Sequence, residues 1–239
     1  IHCDLLVIGA GPAGLMAALT AGRAGARVVL ADEDFRFGGR LNAETFEVGG
    51  TAGADWAAAV VAELAALPNV RLMLRTTIVG AFDHGIYSAV ERVSDHLAVP
   101  MAGKPRQTLW RIYSKRAILA GGATERPIAF ENNDRPGIML AGALRAYANR
   151  WGVAVGDRTA VFTNNDDGLR TARDLQAKGV DVVAVIDSRT GGDLLPGIRH
   201  LQGAQVVDSA GRLGLKSVTV RTANGKLETI ACTALGVSG

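Results

Sequence analysis

The chain has 239 residues, 48% of them apolar, enough for one large core or two modest ones. Its formal net charge is only +3, and the basic residues are scattered among acidic ones, so neither nucleic acid nor a membrane surface is an expected partner. The two cysteines, Cys3 and Cys232, fit neither a disulfide scaffold nor a metal site and read as small buried hydrophobes of a cytoplasmic protein.

No apolar run approaches the roughly 18 residues of a membrane span, and Ile1-His2-Cys3-Asp4 carries no charged leader. Because the chain opens on Ile1 and stops at Gly239 just after an apolar run, it reads as a piece of a longer protein. Asp4 to Ile8 is a short apolar strand ended by glycine, Pro12 to Ala24 a helix rich in Ala and Leu, and Val28 to Ala31 a second strand. Together they make a βαβ unit of the usual size, about 30 residues. Asp55 to Leu67 gives another helix, stopped by Pro68, and Val70 to Leu74 a third strand.

From Ile78 to Val99 the apolar period shortens and Asp83-His84-Gly85 reads as a tight turn, predicting an antiparallel meander before a long strand from Leu109 to Ala120. Leu140 to Trp151 is a predicted helix. A second strand, helix and strand follow at Thr159 to Thr163, Gly168 to Lys178 and Val180 to Ile186. A hairpin joins Leu213 to Arg221 with Leu227 to Cys232 through Asn224-Gly225, a pair that favours a type I′ turn. The polar stretch between residues 127 and 139 is the expected boundary, giving a dinucleotide-binding domain over 1–137 and a second module over 138–239 that ends at its return strand. The expected class is α/β, Rossmann-like: a parallel sheet with an antiparallel meander and an inserted second α/β module.

Gly9-Ala10-Gly11-Pro12-Ala13-Gly14 is a G-x-G-x-x-G set between a strand and a helix. Gly9 permits the tight turn, Gly11 lets backbone approach a pyrophosphate, and Gly14 lets helix and strand pack closely. The helix starting at Pro12 points free N–H groups and its positive dipole end at the phosphates. Asp32 ends the next strand, where a carboxylate accepts hydrogen bonds from ribose hydroxyls. With Glu33 and Asp34 it forms an acidic cluster that disfavours the 2′-phosphate of NADP and leaves NAD or FAD.

Gly38-Gly39-Arg40 resembles the continued fingerprint of two-dinucleotide-binding-domain flavoproteins, with Arg40 either near a phosphate or in solvent. In the second module Asn164-Asn165-Asp166-Asp167-Gly168 replaces the glycine turn and offers side chains and negative charge where phosphates need bare backbone. Asp187, ending its strand, is read as structural. A close cysteine pair is absent, which excludes disulfide reductase chemistry. His2, His84, His96 and His200 lack ligand spacing, and Ser114, Ser188 and Ser217 lack a nucleophile elbow, so no catalytic or metal-binding residue is assigned.

Longer segments carry a more specific likeness. Asp83 to Tyr87, Glu91 to Leu97, Pro105 to Trp110, Gly122 to Pro127, Asn132 to Leu140 and Thr163 to Asp166 resemble the alpha subunit of heterotetrameric sarcosine oxidase, an architecture shared with related amine-, opine- and proline-oxidizing subunits. The resemblance implies NAD in the first module in a structural or accessory role. It also implies amine oxidation on FAD in a beta subunit, FMN between the alpha and beta subunits, and further subunits in the complex. It places Gly9, Gly11, Ala13 and Gly14 at the pyrophosphate, Asp32 and Glu33 at the ribose, Val79 near the adenine and Arg40 next to the phosphates. The fragment alone is expected to be inactive. The alternatives are a self-contained FAD-dependent oxidoreductase and a nucleotide-stabilised assembly subunit.

Overall fold

Short apolar runs alternating with Ala- and Leu-rich segments fold, in a computed structural model describing residues 1–239, into parallel strands and covering helices. The chain divides into two units, Ile1–Ala123 and Thr124–Gly239.

In the first unit the order is β1 (His2–Ile8), α1 (Pro12–Arg23), β2 (Val28–Ala31), a ribbon of β3 (Glu47–Val48) and β4 (Thr51–Ala52), α2 (Gly53–Ala66), β5 (Val70–Met73), β6 (Thr76–Phe82), β7 (Ile86–Arg92) and β8 (Gln107–Leu119). The main sheet runs β5-β2-β1-β8-β7-β6. β5, β2, β1 and β8 are parallel, whereas β8, β7 and β6 pair antiparallel. All four residues of β2 are buried, as a parallel strand covered on both faces requires. Val7, Val28 and Leu30 face Leu15, Leu19, Val60 and Leu64 of the helices, while Leu6, Val29 and Ala31 face Met73, Ala89 and Ile112.

The meander therefore consists of β6, β7 and β8, and the long strand expected after it is its third member, shared with the parallel sheet. The turn at Asp83–Gly85 forms as expected, with His84 and Gly85 at φ 62° and 70°. Residues 93–99 leave the ladder instead of extending it. The N–H groups of Val93, Ser94 and Asp95 all donate to the Arg106 carbonyl, and the Asp95 carboxylate accepts from the Arg106 and Gln107 side chains, so a cluster of bonds on one carbonyl and one carboxylate replaces regular strand pairing.

The second unit runs β9 (Ile138–Leu140), α3 (Ala141–Trp151), β10 (Arg158–Thr163), α4 (Asp166–Ala177), β11 (Asp181–Asp187), β12 (His200–Gln202), β13 (Gln205–Ala210), β14 (Ser217–Arg221), β15 (Leu227–Ala231) and β16 (Ala234–Ser238). A parallel sheet β12-β11-β10-β16-β9 packs α3 and α4 on one face and the antiparallel sheet β13-β14-β15 on the other. The antiparallel strands thus form a sheet of their own here, whereas in the first unit they continue the main sheet through β8.

Three expectations need correction. The unit boundary lies at Ala123/Thr124 rather than within 127–139, because Ile128 and Phe130 bury against the second core, the Gly239 N–H donates to the Arg126 carbonyl and the Arg135 guanidinium bonds Ser209 and the Gly211 carbonyl. The tail is three-stranded, β13 having been missed, and β14 begins at Ser217 because Leu213 is 91% exposed. The hairpin turn is not type I′. Of Asn224 and Gly225 only the glycine has positive φ, and the Gly225 N–H donates to the Thr222 carbonyl while Thr222 pairs with Lys226. This is a three-residue loop with a left-handed glycine as its last residue.

Candidate functional site

The turn between β1 and α1 is built from glycines with distinct tasks. Gly9 sits at φ 97°, and a Cβ there would lie 2.5 Å from the Ala120 carbonyl oxygen, so the position admits only glycine. A Cβ on Gly14 would lie 1.9 Å from the Gly9 oxygen, which closes α1 tightly onto the turn. Gly11, the N-cap of α1, is different: a Cβ there meets nothing within 4 Å. No side chain caps α1, and Pro12 occupies its first turn, as the fixed φ of proline favours. The N–H groups of that turn, including those of Ala13 and Gly14, come before any intrahelical acceptor and have no capping side chain, the arrangement that suits an anion.

Gly38 and Gly39 lie against this turn. The Gly38 N–H donates to the Ala10 carbonyl at 2.9 Å, and a Cβ on Gly39 would be 2.9 Å from the Gly11 Cα. Arg40 follows, its guanidinium 2.6 Å from the Glu44 carboxylate. Asn42 is buried and donates through Nδ2 to the Phe37 carbonyl. Ala120 and Gly121 also wall the turn, a contact the sequence reading missed because only the pairing of β8 with β1 brings them there.

The Asp32 carboxylate is fixed by two backbone groups: Oδ2 accepts from the Ala10 N–H at 2.6 Å and Oδ1 from the Asp34 N–H at 2.8 Å. Each carboxylate oxygen retains further acceptor capacity, so the group can still receive hydroxyl donors. Glu33 is exposed, whereas the Asp34 carboxylate turns onto the Phe35 N–H at 2.7 Å. β6 starts at the acid, since the Thr76 N–H donates to the Asp32 carbonyl. Three residues on, Val79 is the extra residue of a bulge between Ile78 and Gly80, exposed and without a cross-strand partner. The structure also brings Arg75 and Arg92 to the 33–35 loop, which nothing in the spacing around Asp32 foretold.

At the corresponding place in the second unit the helix end is filled. Asn165, the N-cap of α4, accepts the Asp167 and Gly168 N–H groups through Oδ1. Asp187 is buried, and Arg189 contacts it through Nη2 at 2.8 Å while its Nη1 reaches Asp166 at 2.8 Å. Asp167 pairs with Arg145. Burial pushes the Cys232 thiol up to about 11 and raises that of Cys3, so both are neutral at physiological pH. No group of three or more His, Cys, Asp or Glu could hold a metal ion, and no helix is long and apolar enough to cross a membrane.

Residues 4–66 match the model of the FAD dependent oxidoreductase family. Sarcosine oxidase subunit alpha of Rhizobium meliloti is 50% identical over 240 residues, which cover 100% of this chain and 24% of that protein. The chain therefore spans about a quarter of the length of this curated relative. Among solved structures, L-proline dehydrogenase from P. horikoshii is similar with a TM-score of 0.75 at 24% identity, over 100% of this chain and 42% of that one. Thioredoxin reductase of T. acidophilum has a TM-score of 0.74 at 15% identity, over 99% and 76%. The chain has the two-dinucleotide-binding-domain flavoprotein fold and is homologous to part of the sarcosine oxidase alpha subunit.

Proposed function

We propose that the first unit holds NAD in a structural or accessory role within an oxidoreductase subunit of the sarcosine oxidase alpha type. Gly9, Gly11, Pro12, Ala13 and Gly14 hold the pyrophosphate, with Gly39 and Arg40 beside it. Asp32 takes the ribose hydroxyls, Glu33 and Asp34 add negative charge that repels a 2′-phosphate, and Val79 meets the adenine through backbone groups freed by its bulge. The open space before Gly11, at an uncapped helix N-terminus, is the observation that carries this reading. Within a cytoplasmic complex the partners are a beta subunit, on whose FAD the amine is oxidised, further subunits, and FMN between alpha and beta. The chain alone supplies binding and orientation, and no residue in it is assigned to catalysis.

FAD in the same turn is the second reading, favoured by the match of residues 4–66 to the FAD dependent oxidoreductase family. Heat release of any nucleotide that co-purifies, identified by mass, separates the two, followed by titration with NAD, NADP and FAD. NAD released or bound tighter than NADP and FAD is the expected result. FAD released with a yellow protein would replace NAD by the second reading.

A further inference from the structure

We infer that Arg75 and Arg92 are positioning residues for ribose recognition, bracing the 33–35 loop so that Asp32 presents a fixed carboxylate to the 2′-hydroxyl. The inference rests on Asp32 being the ribose-binding acid. Arg75 lies in the turn between β5 and β6 at φ 51°, a left-handed conformation that glycine adopts freely and arginine does not. Its backbone alone would be served better by glycine, so the side chain is what arginine adds. That side chain places its guanidinium 5.3 Å from the centre of the Phe35 ring, over its face.

The same residue ties three segments together. Its N–H donates to the Asp34 carbonyl at 2.9 Å, and its carbonyl accepts the Arg92 N–H at 3.0 Å. From the end of β7, the Arg92 guanidinium reaches across to the Glu33 carbonyl at 2.8 Å. The loop so held contributes the Asp34 N–H that fixes Asp32 Oδ1, while the Ala10 N–H fixes Oδ2. A chain of contacts thus runs from the two arginines through the Glu33 and Asp34 carbonyls and the Phe35 ring to one oxygen of the acid. With that loop released, Asp32 keeps only the Ala10 bond and its carboxylate turns more freely about the side-chain torsion. A turning carboxylate still repels a phosphate, but it discriminates less between a ribose with and without its 2′-hydroxyl.

The test titrates the full chain with NAD and with its 2′-deoxyadenosine analogue by calorimetry, alongside a thermal melt. The parent is expected to prefer NAD by about tenfold, the size of one hydrogen bond to a charged acceptor. Arg75→Gly relieves the left-handed backbone and should melt no lower than the parent, yet its preference should shrink to about twofold. Arg92→Gln should behave likewise, and it decides the matter should Arg75→Gly not fold. Variants that keep the parental preference, whatever their melting temperature, overturn the inference and leave the ribose assignment standing. A parent that binds NAD with no preference at all overturns the assignment of Asp32 and this inference with it.

Discussion

Helices α1 and α4 begin on the same frame: Gly11 and Asn165 are their N-caps, Gly9 and Thr163 stand two residues before, and Gly14 and Gly168 three residues after. The last pair is conserved in task. A Cβ on Gly14 would lie 1.9 Å from the Gly9 oxygen, and one on Gly168 would lie 2.3 Å from Thr163 Oγ1. The N-cap pair is opposite in task, since nothing lies within 4 Å of a Cβ on Gly11 whereas the Asn165 side chain occupies its helix end with two accepted N–H bonds. The strand-end acids diverge in the same sense. Asp32 is held by neutral N–H groups, whereas Asp187 accepts the Arg189 N–H and is also paired with the Arg189 guanidinium. The packing task of such a glycine and an open helix N-terminus are therefore separable, and the second unit keeps the first without the second.

The largest expected effect tests the shared task. Gly14→Ala and Gly168→Ala each force a methyl group into a close contact of helix and strand end, and each should destabilise its own unit by about 3 kcal/mol, the upper part of the usual range for overpacking. The loss is read as a lower urea midpoint by circular dichroism. Parental midpoints for Gly168→Ala would mean that the end of β10 gives way at Thr163 and that the two turns are not equivalent in packing.

Next in size is Gly11→Val, which should cost at least about a hundredfold in NAD affinity, or ~2.7 kcal/mol, by filling the space a pyrophosphate needs. Because no protein atom lies near that Cβ and Gly11 sits at φ −67°, the fold should survive unstrained. Native affinity in calorimetry would assign the glycine turn to packing alone. In the second unit Asn165→Ala removes a side-chain cap and should lower stability by about 1 kcal/mol while leaving NAD binding unchanged. A second bound NAD in that variant would show that Asn165 alone keeps the turn closed.

These contrasts differ in how far the sequence exposes them. The glycine spacing, the strand before it and Asp32 after β2 are local signals, and the backbone they encode is local too. Asn165 is likewise legible as a polar residue at a helix start. Ala120, Gly121, Arg75 and Arg92 are not, because they reach the first turn and its acid only through the pairing of β8 with β1 and the return of the meander. The three residues of β9 are too few to show a period. The stretch between residues 127 and 139 reads as a boundary because its prolines, asparagines and charges outnumber its apolar residues, yet Ile128 and Phe130 pack against the second core. The hairpin loop differs from its sequence signal for a related reason: Asn224-Gly225 favours a two-residue turn in isolation, but Ala223 enters the loop and leaves Asn224 without a positive φ.

The smallest expected effect concerns how the second unit stays closed. Between β11 and β12 the chain carries Arg189, which neutralises Asp187, and Leu195, which is buried in the core beside α4. Its return is tethered by His200, whose Nε2 accepts the Leu195 N–H at 2.8 Å, so the ring must be neutral at that nitrogen. Burial lowers the pKa of His200 below its ordinary value of 6.5, and the nearby Asp187 opposes that shift without reversing it. With the folded-state value below the unfolded one, the unfolded chain takes up the proton first as pH falls. The contribution is therefore full above about pH 6.5 and is lost as the pH drops through the folded-state value. Its size should be on the order of 0.5 kcal/mol, that of a single hydrogen bond with water close by. Urea midpoints taken between pH 8 and pH 5 should fall more steeply for the parent than for His200→Gln, whose side-chain oxygen can accept the same N–H at every pH. Parallel curves for the two proteins would mean that the Leu195 to His200 bond does not hold the loop, and that Arg189 and the burial of Leu195 close the second unit by themselves.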